Sequence, residues 1–310
     1  MPKWGVAYIP KEKGKTMKLF APKYYKNFKC IADKCEHNCC TGWQIDVDTA
    51  TLKKYKGLNG GYGEVIKRSI SKGKTPHFIT EKDERCPHLD ERGLCRIITS
   101  FSEEYLCDIC KNHPRFYNYT DVCEVGIGMS CPEAARIILA SDEYTTFCEV
   151  GEIEADLGAP EFDGHTERNE VFKILSDKDR PFPEKLDCIY EQYGVTKRED
   201  AYWLDLLDSI EYLDESHKDL FMHYSGEHEK EAKEPFAERF LAYLVYRHCT
   251  EAESREDFSM RLGFCLFCHR LLTSLTYSKK EKTHNEIAHL TSIISEEIEY
   301  SEDNTFALMY

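Results

Sequence analysis

The sequence lacks the long apolar run of a membrane-spanning helix, since no stretch approaches about twenty consecutive apolar residues. It also lacks the short apolar core of a secretory signal peptide, because lysines occur throughout residues 1–29. We therefore expect a cytoplasmic protein with no membrane partner. Of its 310 residues 31% are charged and 41% hydrophobic, which is typical of a globular chain and not of a disordered one.

Positive charge is scarce outside the first quarter of the chain. Residues 1–80 carry 16 Lys and Arg against 6 Asp and Glu, whereas residues 81–310 carry 25 against 50. An acidic majority repels nucleic acid, and the basic part contains no recognisable recognition helix. We therefore predict no nucleic-acid partner and interpret the basic residues as a solvated surface.

Two familiar cofactor motifs are also missing. The run GLNGGYG at 57–63 follows no buried strand and precedes no P-loop lysine pattern, so it predicts a loop rather than a phosphate-binding turn. The C-x3-C-x2-C spacing of radical clusters is not met either, because Cys40 directly follows Cys39. Neither nucleotide binding at that loop nor radical chemistry is supported.

Cysteine, by contrast, is abundant and unevenly placed. Of 15 cysteines, 11 lie between Cys30 and Cys148. Because a reducing cytoplasm keeps thiols free, such a group predicts a metal site rather than a disulfide scaffold.

The cysteine spacings leave two metals open. Cys30-x4-Cys35 and Cys107-x2-Cys110 would suit the paired ligands of zinc. The adjacent pair Cys39-Cys40 and the Cys-Pro steps at 86 and 131 favour an iron–sulfur cluster, since Cys-Pro also ends ferredoxin-type runs.

One cysteine occupies a helix start, and the last four resemble packing residues. Pro132 fits the first position of a helix, which makes Cys131 its N-cap, where the helix dipole favours a thiolate. Three of the C-terminal cysteines fall in apolar helical patterns, so we predict a core role for the whole set: Cys188, Cys249, Cys265 and Cys268. The haem-like pattern CLFCH at 265–269 is therefore interpreted as core.

The fold class predicted from these patterns is mainly α. We expect a basic extension at 1–17, an irregular cysteine-rich metal-binding domain at 18–150 and an acidic α-helical domain at 165–310. Asp48 or Thr49 is expected to cap a helix through residue 56. Later helices are expected near residues 199–214, 235–249, 256–277 and 280–300.

Five blocks of this chain resemble the flagellin lysine-N-methylase family of the FliB type. They are YYKNFKC at 24–30, CEHNCCTGWQID at 35–46, CPHLDERGLC at 86–95, CKNHPR at 110–115 and SCPEAAR at 130–136. The first two are also similar to a broader group of cysteine-rich proteins described as zinc- or iron-chelating. The resemblance covers roughly residues 18–140.

The resemblance implies transfer of methyl groups from S-adenosylmethionine to lysines of flagellin, or of another lysine-bearing protein, by an enzyme that holds an iron–sulfur cluster. The expected cluster is 4Fe–4S, with zinc as the alternative. Matched to the family blocks, the candidate ligands are Cys30, Cys35, Cys39, Cys40, Cys86, Cys95, Cys110 and Cys131. Cys107 lies outside the family pattern and ranks second.

Two other functions remain open from sequence. One is a non-catalytic module that stores, inserts or senses iron or zinc, and the other is a structural zinc domain that presents the helical half to a partner. The glycine-rich strand-to-helix turn of ordinary methyltransferases is missing, so the sequence locates neither catalytic residues nor an S-adenosylmethionine pocket.

Overall fold

The computed structural model describes residues 15–35, 39–81, 84–158, 160–231, 235–277 and 282–310. The chain forms two compact units. Unit 1 joins residues 1–28 to residues 115–310, and unit 2 comprises Lys29–Pro114. Most of the predicted basic extension, residues 1–14, lies outside the described residues, and residues 15–17 belong to a strand.

Helices dominate the described residues, so the predicted mainly α class is confirmed. The strands are β1 (Lys15–Pro22), β2 (Arg115–Tyr119), β3 (Cys123–Ile127) and β4 (Phe147–Ala155). The helices are α1 (Thr49–Lys56), α2 (Gly61–Arg68), α3 (Arg96–Ser100), α4 (Asp108–Asn112), α5 (Pro132–Ala140), α6 (Gly164–Ser176), α7 (Phe182–Tyr193), α8 (Asp200–Ser209), α9 (Glu215–Phe221), α10 (Pro235–Cys249), α11 (Arg255–Thr276), α12 (His284–Ile294) and α13 (Glu302–Met309). Within the described residues, no helix is long and apolar enough to cross a bilayer.

The four strands of unit 1 form one sheet in the order β2-β3-β1-β4. β1 runs parallel to β3, while the β2–β3 and β1–β4 pairs are antiparallel. β1 thus lies between two strands that follow it by about a hundred residues, a non-local pairing that local sequence patterns do not reveal.

The helices of unit 1 bury a broad apolar core around α10 and α11. α10 has the bounds that the sequence predicted, and α11 differs from its prediction by one residue at each end. Phe240, Tyr243 and Tyr246 of α10 are buried together with Phe264 and Phe267 of α11. Because both helices are apolar on several faces, they occupy the centre of the unit rather than its surface.

A buried ion pair joins the sheet to this helical core. Arg168 of α6 donates to both carboxylate oxygens of Glu124 on β3, and Thr250 accepts a further hydrogen bond from the same guanidinium. Although burial favours the protonated acid, His165 and Arg168 hold the pKa of Glu124 below its usual range. A pair with this many hydrogen bonds fixes the position of α6 against β3.

Part of the predicted organisation differs from the structure. Residues 151–155, which lie between the two predicted domains, form the second half of β4. Residues 115–150, assigned from sequence to the cysteine-rich domain, belong to unit 1, where Phe116, Ile127 and Ile138 join its core. Cysteine content therefore did not mark the unit boundary, because packing groups segments by their apolar faces.

Gly126 on β3 provides a test of the packing against the helices. A Cβ atom at this position would lie 2.2 Å from Phe116 Cζ and 2.8 Å from Tyr246 Cε1, both in the core. We expect Gly126→Ala to lower the unfolding free energy by about 1–3 kcal/mol through overpacking. Gly151→Ala is the matched control on β4, since a Cβ there meets nothing within 4 Å. Equal stability of the two variants in urea denaturation would contradict this packing.

Candidate metal centre

Unit 2 brings together six cysteines whose thiols affect one another's ionisation, which we call the six-thiol cluster: Cys39, Cys40, Cys86, Cys95, Cys107 and Cys110. Five of them line the small apolar core of the unit, whose centre includes Tyr55, Ile66 and Phe78. No disulfide joins any of the fifteen cysteines, all of which lie in described segments.

Backbone hydrogen bonds place the first two cysteine segments side by side. The Cys86 amide donates to the Cys40 carbonyl at 2.8 Å. The indole of Trp43 donates to the Cys39 carbonyl at 2.8 Å, which folds the 39–43 segment over its own start. Two hydrogen bonds that do not involve sulfur therefore hold the adjacent cysteines at 39 and 40, one from the Cys86 amide and one from the Trp43 indole.

A tight turn returns the chain from Cys86 to Cys95. The Asp90 carboxylate accepts from the amides of Arg92 and Leu94, both at 2.9 Å. Gly93 has φ 76°, a left-handed conformation that glycine adopts without strain. The turn explains the DERG sequence of this block, and it brings Cys95 back to the core at the start of α3.

Asp48 positions the third cysteine segment. One carboxylate oxygen caps α1 by accepting from the Thr51 amide at 2.9 Å, as the sequence predicted. The other accepts from the Asp108 amide at 3.0 Å, at the start of α4. Since α4 has Cys107 as its N-cap residue and contains Cys110, one carboxylate fixes two helix starts and with them two thiols.

Tyr55 of α1 lies against the same segment. Its hydroxyl donates to the Tyr105 carbonyl at 2.6 Å and lies 3.7 Å from Cys107 Sγ. Burial, then the neighbouring Cys107 thiol, raises the pKa of this phenol. The Tyr55 hydroxyl therefore remains protonated, and Cys107 is fully buried beside it.

The thiols disfavour each other's ionisation. A hydrogen bond with the Cys39 thiol, followed by burial, raises the pKa of Cys40, and Cys86 and Cys95 add to the effect. A hydrogen bond with Cys107, followed by burial, raises the pKa of Cys110. Burial raises the pKa of Cys86 to about 12 and that of Cys95 in the same direction. Several thiolates together in this core would require a compensating cation.

The structure groups the predicted ligands only in part. Five of the eight belong to the six-thiol cluster, whose sixth member is Cys107. Cys30 is exposed and accepts from the Ala32 amide at 3.4 Å, and Cys35 follows a short 3₁₀ turn. Cys131 belongs to unit 1, where it is the N-cap residue of α5, as predicted. Within the described residues, no three His, Cys, Asp or Glu side chains converge closely enough to hold a metal ion.

Cys107 was ranked second from the sequence because it lies outside the family blocks. Its C-x2-C spacing with Cys110 was the available signal, since that spacing places both thiols at one turn of a helix. The structure places it fully buried, next to Tyr55 and the Cys110 thiol.

His88 of the CPHL motif has a hydrogen-bonding role. It is fully buried, its Nδ1 pairs with the Tyr62 hydroxyl at 2.8 Å and its Nε2 with the Ser69 hydroxyl at 2.9 Å. Both ring nitrogens are thus engaged. Burial and then Arg96 lower the pKa of His88 to about 4, which keeps the ring neutral.

The three C-terminal cysteines with helical patterning are core residues, as predicted. Cys249, Cys265 and Cys268 are fully buried in unit 1, and the Sγ atoms of Cys249 and Cys265 lie 3.7 Å apart. Cys188 on α7 is half-buried. His269 of the CLFCH pattern is also fully buried, with its ring against Phe182 at 5.3 Å between centroids. This motif is part of the helical core.

Comparison with known proteins finds relatives over less than half of the chain. This chain is 27% identical over 133 residues to the flagellar biosynthetic protein FliU of Salmonella muenchen. The matched residues make up 40% of this chain and 79% of that protein. It is 27% identical over 143 residues to the lysine-N-methylases of Salmonella choleraesuis and Salmonella typhimurium, which covers 44% of this chain. The matched part spans 36% of the length of those two methylases. No protein-family model and no solved structure matches the chain.

Asp48→Ala tests the positioning of α1 and α4. Removing the carboxylate leaves two helix starts without their cap, and we expect a loss of about 1–2 kcal/mol in the unfolding free energy. Thiol reagents should also label Cys107 and Cys110 faster, because α4 loses the hydrogen bond between its Asp108 amide and the Asp48 carboxylate. The control is Asp46→Ala, whose exposed side chain accepts only from Gln44 among the hydrogen bonds described. Similar labelling rates in both variants would contradict the role of Asp48.

His269→Leu tests the core assignment of the haem-like motif. Burial lowers the pKa of His269 to about 4 from an ordinary 6.5, so the unfolded chain binds a proton at higher pH than the folded one. As pH falls from 6.5 towards 4, protonation of His269 in the unfolded chain therefore lowers the unfolding free energy. The decrease is at most about 1.4 kcal/mol per pH unit. We expect His269→Leu to make this slope shallower in urea denaturation. His289→Leu, at an exposed site on α12, should leave it unchanged.

Proposed function

We propose that this chain is a protein-lysine N-methylase that uses S-adenosylmethionine, acts on flagellin and holds an iron–sulfur cluster in unit 2. The similarity to two lysine-N-methylases and to a flagellar biosynthetic protein supports the reaction and the substrate class. The observation that carries the metal part of the proposal is the six-thiol cluster.

By its chemistry the donor set suits a soft metal, and binding would require the thiols to draw closer together than the structure places them. Five of the six thiols line a single small core, and neighbouring thiols help to raise the pKa values of Cys40, Cys86 and Cys110. Thiolates are the ligands that iron–sulfur clusters require, and the positive charge of the iron ions would offset the repulsion among them. Zinc satisfies the same chemistry with four sulfurs, so metal analysis decides between the two.

We assign the ligands from the six-thiol cluster, with Cys40, Cys86, Cys107 and Cys110 as the leading set. Cys110 interacts with the other three, Cys86 also interacts with Cys40 and Cys107, and all four are at least half-buried. Cys95 and the exposed Cys39 are the alternates. Cys30, Cys35 and Cys131 remain candidate ligands from the family resemblance. When bound, the cluster would join three chain segments through sulfur and supply a one-electron redox centre.

Methyl transfer places a clear demand on the protein. The lysine nitrogen forms a bond to the methyl carbon as the bond from that carbon to sulfur breaks, and the nitrogen loses its proton to solvent or to a base. Because a protonated amine has no free electron pair, the protein must favour the neutral lysine by burial or by a nearby base.

A metal-binding module without methyl transfer is the second candidate. It is favoured by one observation, since the matched part spans 36% of the length of the two methylases. This module would keep the six-thiol cluster and lack the reaction.

The deciding experiment combines metal analysis with a methylation assay. Protein purified without oxygen should contain iron and acid-labile sulfide, and it should transfer labelled methyl groups from S-adenosylmethionine to flagellin of the same organism. Mass spectrometry should place the label on lysine side chains. Iron without methyl transfer would favour the metal-binding module, and zinc in a colourless protein would contradict the cluster.

Serine substitutions separate ligands from other cysteines. We expect Cys107→Ser and Cys110→Ser to lose most of the bound iron, because a hydroxyl is a poorer ligand than a thiolate in a sulfide cluster. Cys123→Ser is the matched control for Cys107→Ser, since Cys123 is as fully buried as Cys107 but lies on β3 of unit 1. Cys131→Ser tests the ligand taken from the family resemblance, and a serine there keeps a suitable N-cap for α5. Equal iron in the Cys107 and Cys123 variants would refute the assignment.

A further inference from the structure

β4 is an edge strand of the sheet among the described residues. β4 pairs with β1, and no other described strand lies beside it. The backbone amides and carbonyls along its other edge therefore pair with no described strand. The strand is nine residues long, longer than the usual strand of about five or six. An open edge of this length is a template for pairing with another extended segment.

A bulge gives this strand one acidic face. Glu149 pairs with Phe20 and Gly151 pairs with Leu19, so Val150 has no partner and the register shifts by one residue. Side chains alternate between faces along a strand, and the extra residue therefore moves Glu149 to the face that already holds Glu152 and Glu154. Without the bulge, Glu149 would point to the opposite face.

These three glutamates are exposed and only partly neutralised. Lys18 lies on β1, opposite Glu152 of β4. Its Nζ forms an ion pair with Glu149 Oε2 at 2.7 Å, and the two side chains remain 64% and 46% exposed. The neighbouring Glu149 and Glu152 carboxylates raise the pKa of Lys18. Along the described part of this face, three negative charges therefore meet one positive charge, that of Lys18.

The rest of the strand leaves room for a partner. Gly151 is exposed, and no described atom lies within 4 Å of where its Cβ would be, so one face of the sheet is uncovered at the middle of β4. The acidic surplus of the protein also lies in this unit. Unit 1 contains 27 Lys and Arg against 43 Asp and Glu, whereas unit 2 contains 14 against 13. Unit 1 thus attracts cationic partners over a longer range than unit 2.

We propose that the open edge of β4 binds a lysine-bearing segment of the protein substrate as an added β-strand. Main-chain hydrogen bonds along the edge would supply affinity independent of sequence, and the face of Glu149, Glu152 and Glu154 would select segments with lysines at alternate positions. The proposal rests on the proposed function for the identity of the partner as a methylation substrate. The chemistry of the edge requires only an extended cationic segment.

Binding is measured with a fluorescein-labelled peptide as long as β4 in which lysine alternates with threonine. Fluorescence anisotropy of the full chain should show saturable binding that weakens steeply with added salt. A peptide with glutamate in place of lysine should not bind. A peptide with proline in place of every second threonine should also fail, because proline cannot donate to the ladder.

The triple variant Glu149→Gln, Glu152→Gln and Glu154→Gln should bind the lysine peptide about tenfold more weakly, since it loses three exposed charge contacts. The matched control makes the same change at three exposed glutamates elsewhere in unit 1: Glu184, Glu191 and Glu199. It removes equal net charge and should leave binding within about twofold. Equal weakening in the two variants would overturn the edge and leave only a general charge effect.

Two further outcomes separate this proposal from the methylase. If the protein binds the peptide through the β4 edge but never methylates flagellin, the binding proposal stands and the methylase proposal is refuted. If the triple variant methylates flagellin as well as the wild type does, the methylase proposal stands and the assignment of the β4 edge as its substrate site is overturned. A wild-type dimer in sedimentation velocity that the triple substitution alters would assign the edge to a second copy of this chain and overturn the proposal.

Discussion

The carboxylate of Asp48 holds the cysteine-rich unit together. Its two oxygens accept from the amides at the starts of α1 and α4, helices of eight and five residues. Helices this short are unstable alone, because nucleation costs more than their few hydrogen bonds return. Their persistence in unit 2 depends on such caps and on a core that is small. Together with the Tyr55 hydroxyl, that carboxylate positions the segment that carries Cys107 and Cys110.

The two units differ in what stabilises them. Unit 1 has an extensive apolar core, and buried charged side chains within it form ion pairs, such as that of Arg168 with Glu124. Another is Glu299, which accepts from Tyr243 and lies 2.7 Å from His248 Nε2. Unit 2 has a small core in which cysteines occupy places that larger apolar side chains would otherwise fill. Its stability is therefore the more sensitive to the chemical state of sulfur, and metal binding would add directly to folding.

The arrangement of the chain links these units to the proposed function. Unit 2 is inserted between β1 and β2, so both of its ends continue into the strands of one sheet. That sheet ends in β4, whose acidic edge we assign to the substrate, while the thiols of the inserted unit provide the candidate metal ligands. Redox or metal chemistry and substrate binding would thus be supplied by different parts of the fold.

Local patterns in the sequence determined much of this protein. They predicted the helical class, the cap at Asp48, the start of α5 at Pro132 and the bounds of α10, because caps and helical periodicity act over a few residues. The tertiary structure alone decided the unit boundary, the place of Cys107 beside Tyr55 and the acidic face of β4. Each depends on segments far apart in the chain, as when the ladder with β1 sets the bulge that turns Glu149 towards Glu152. Pairings of this kind are fixed by burial and register, which short sequence windows do not contain.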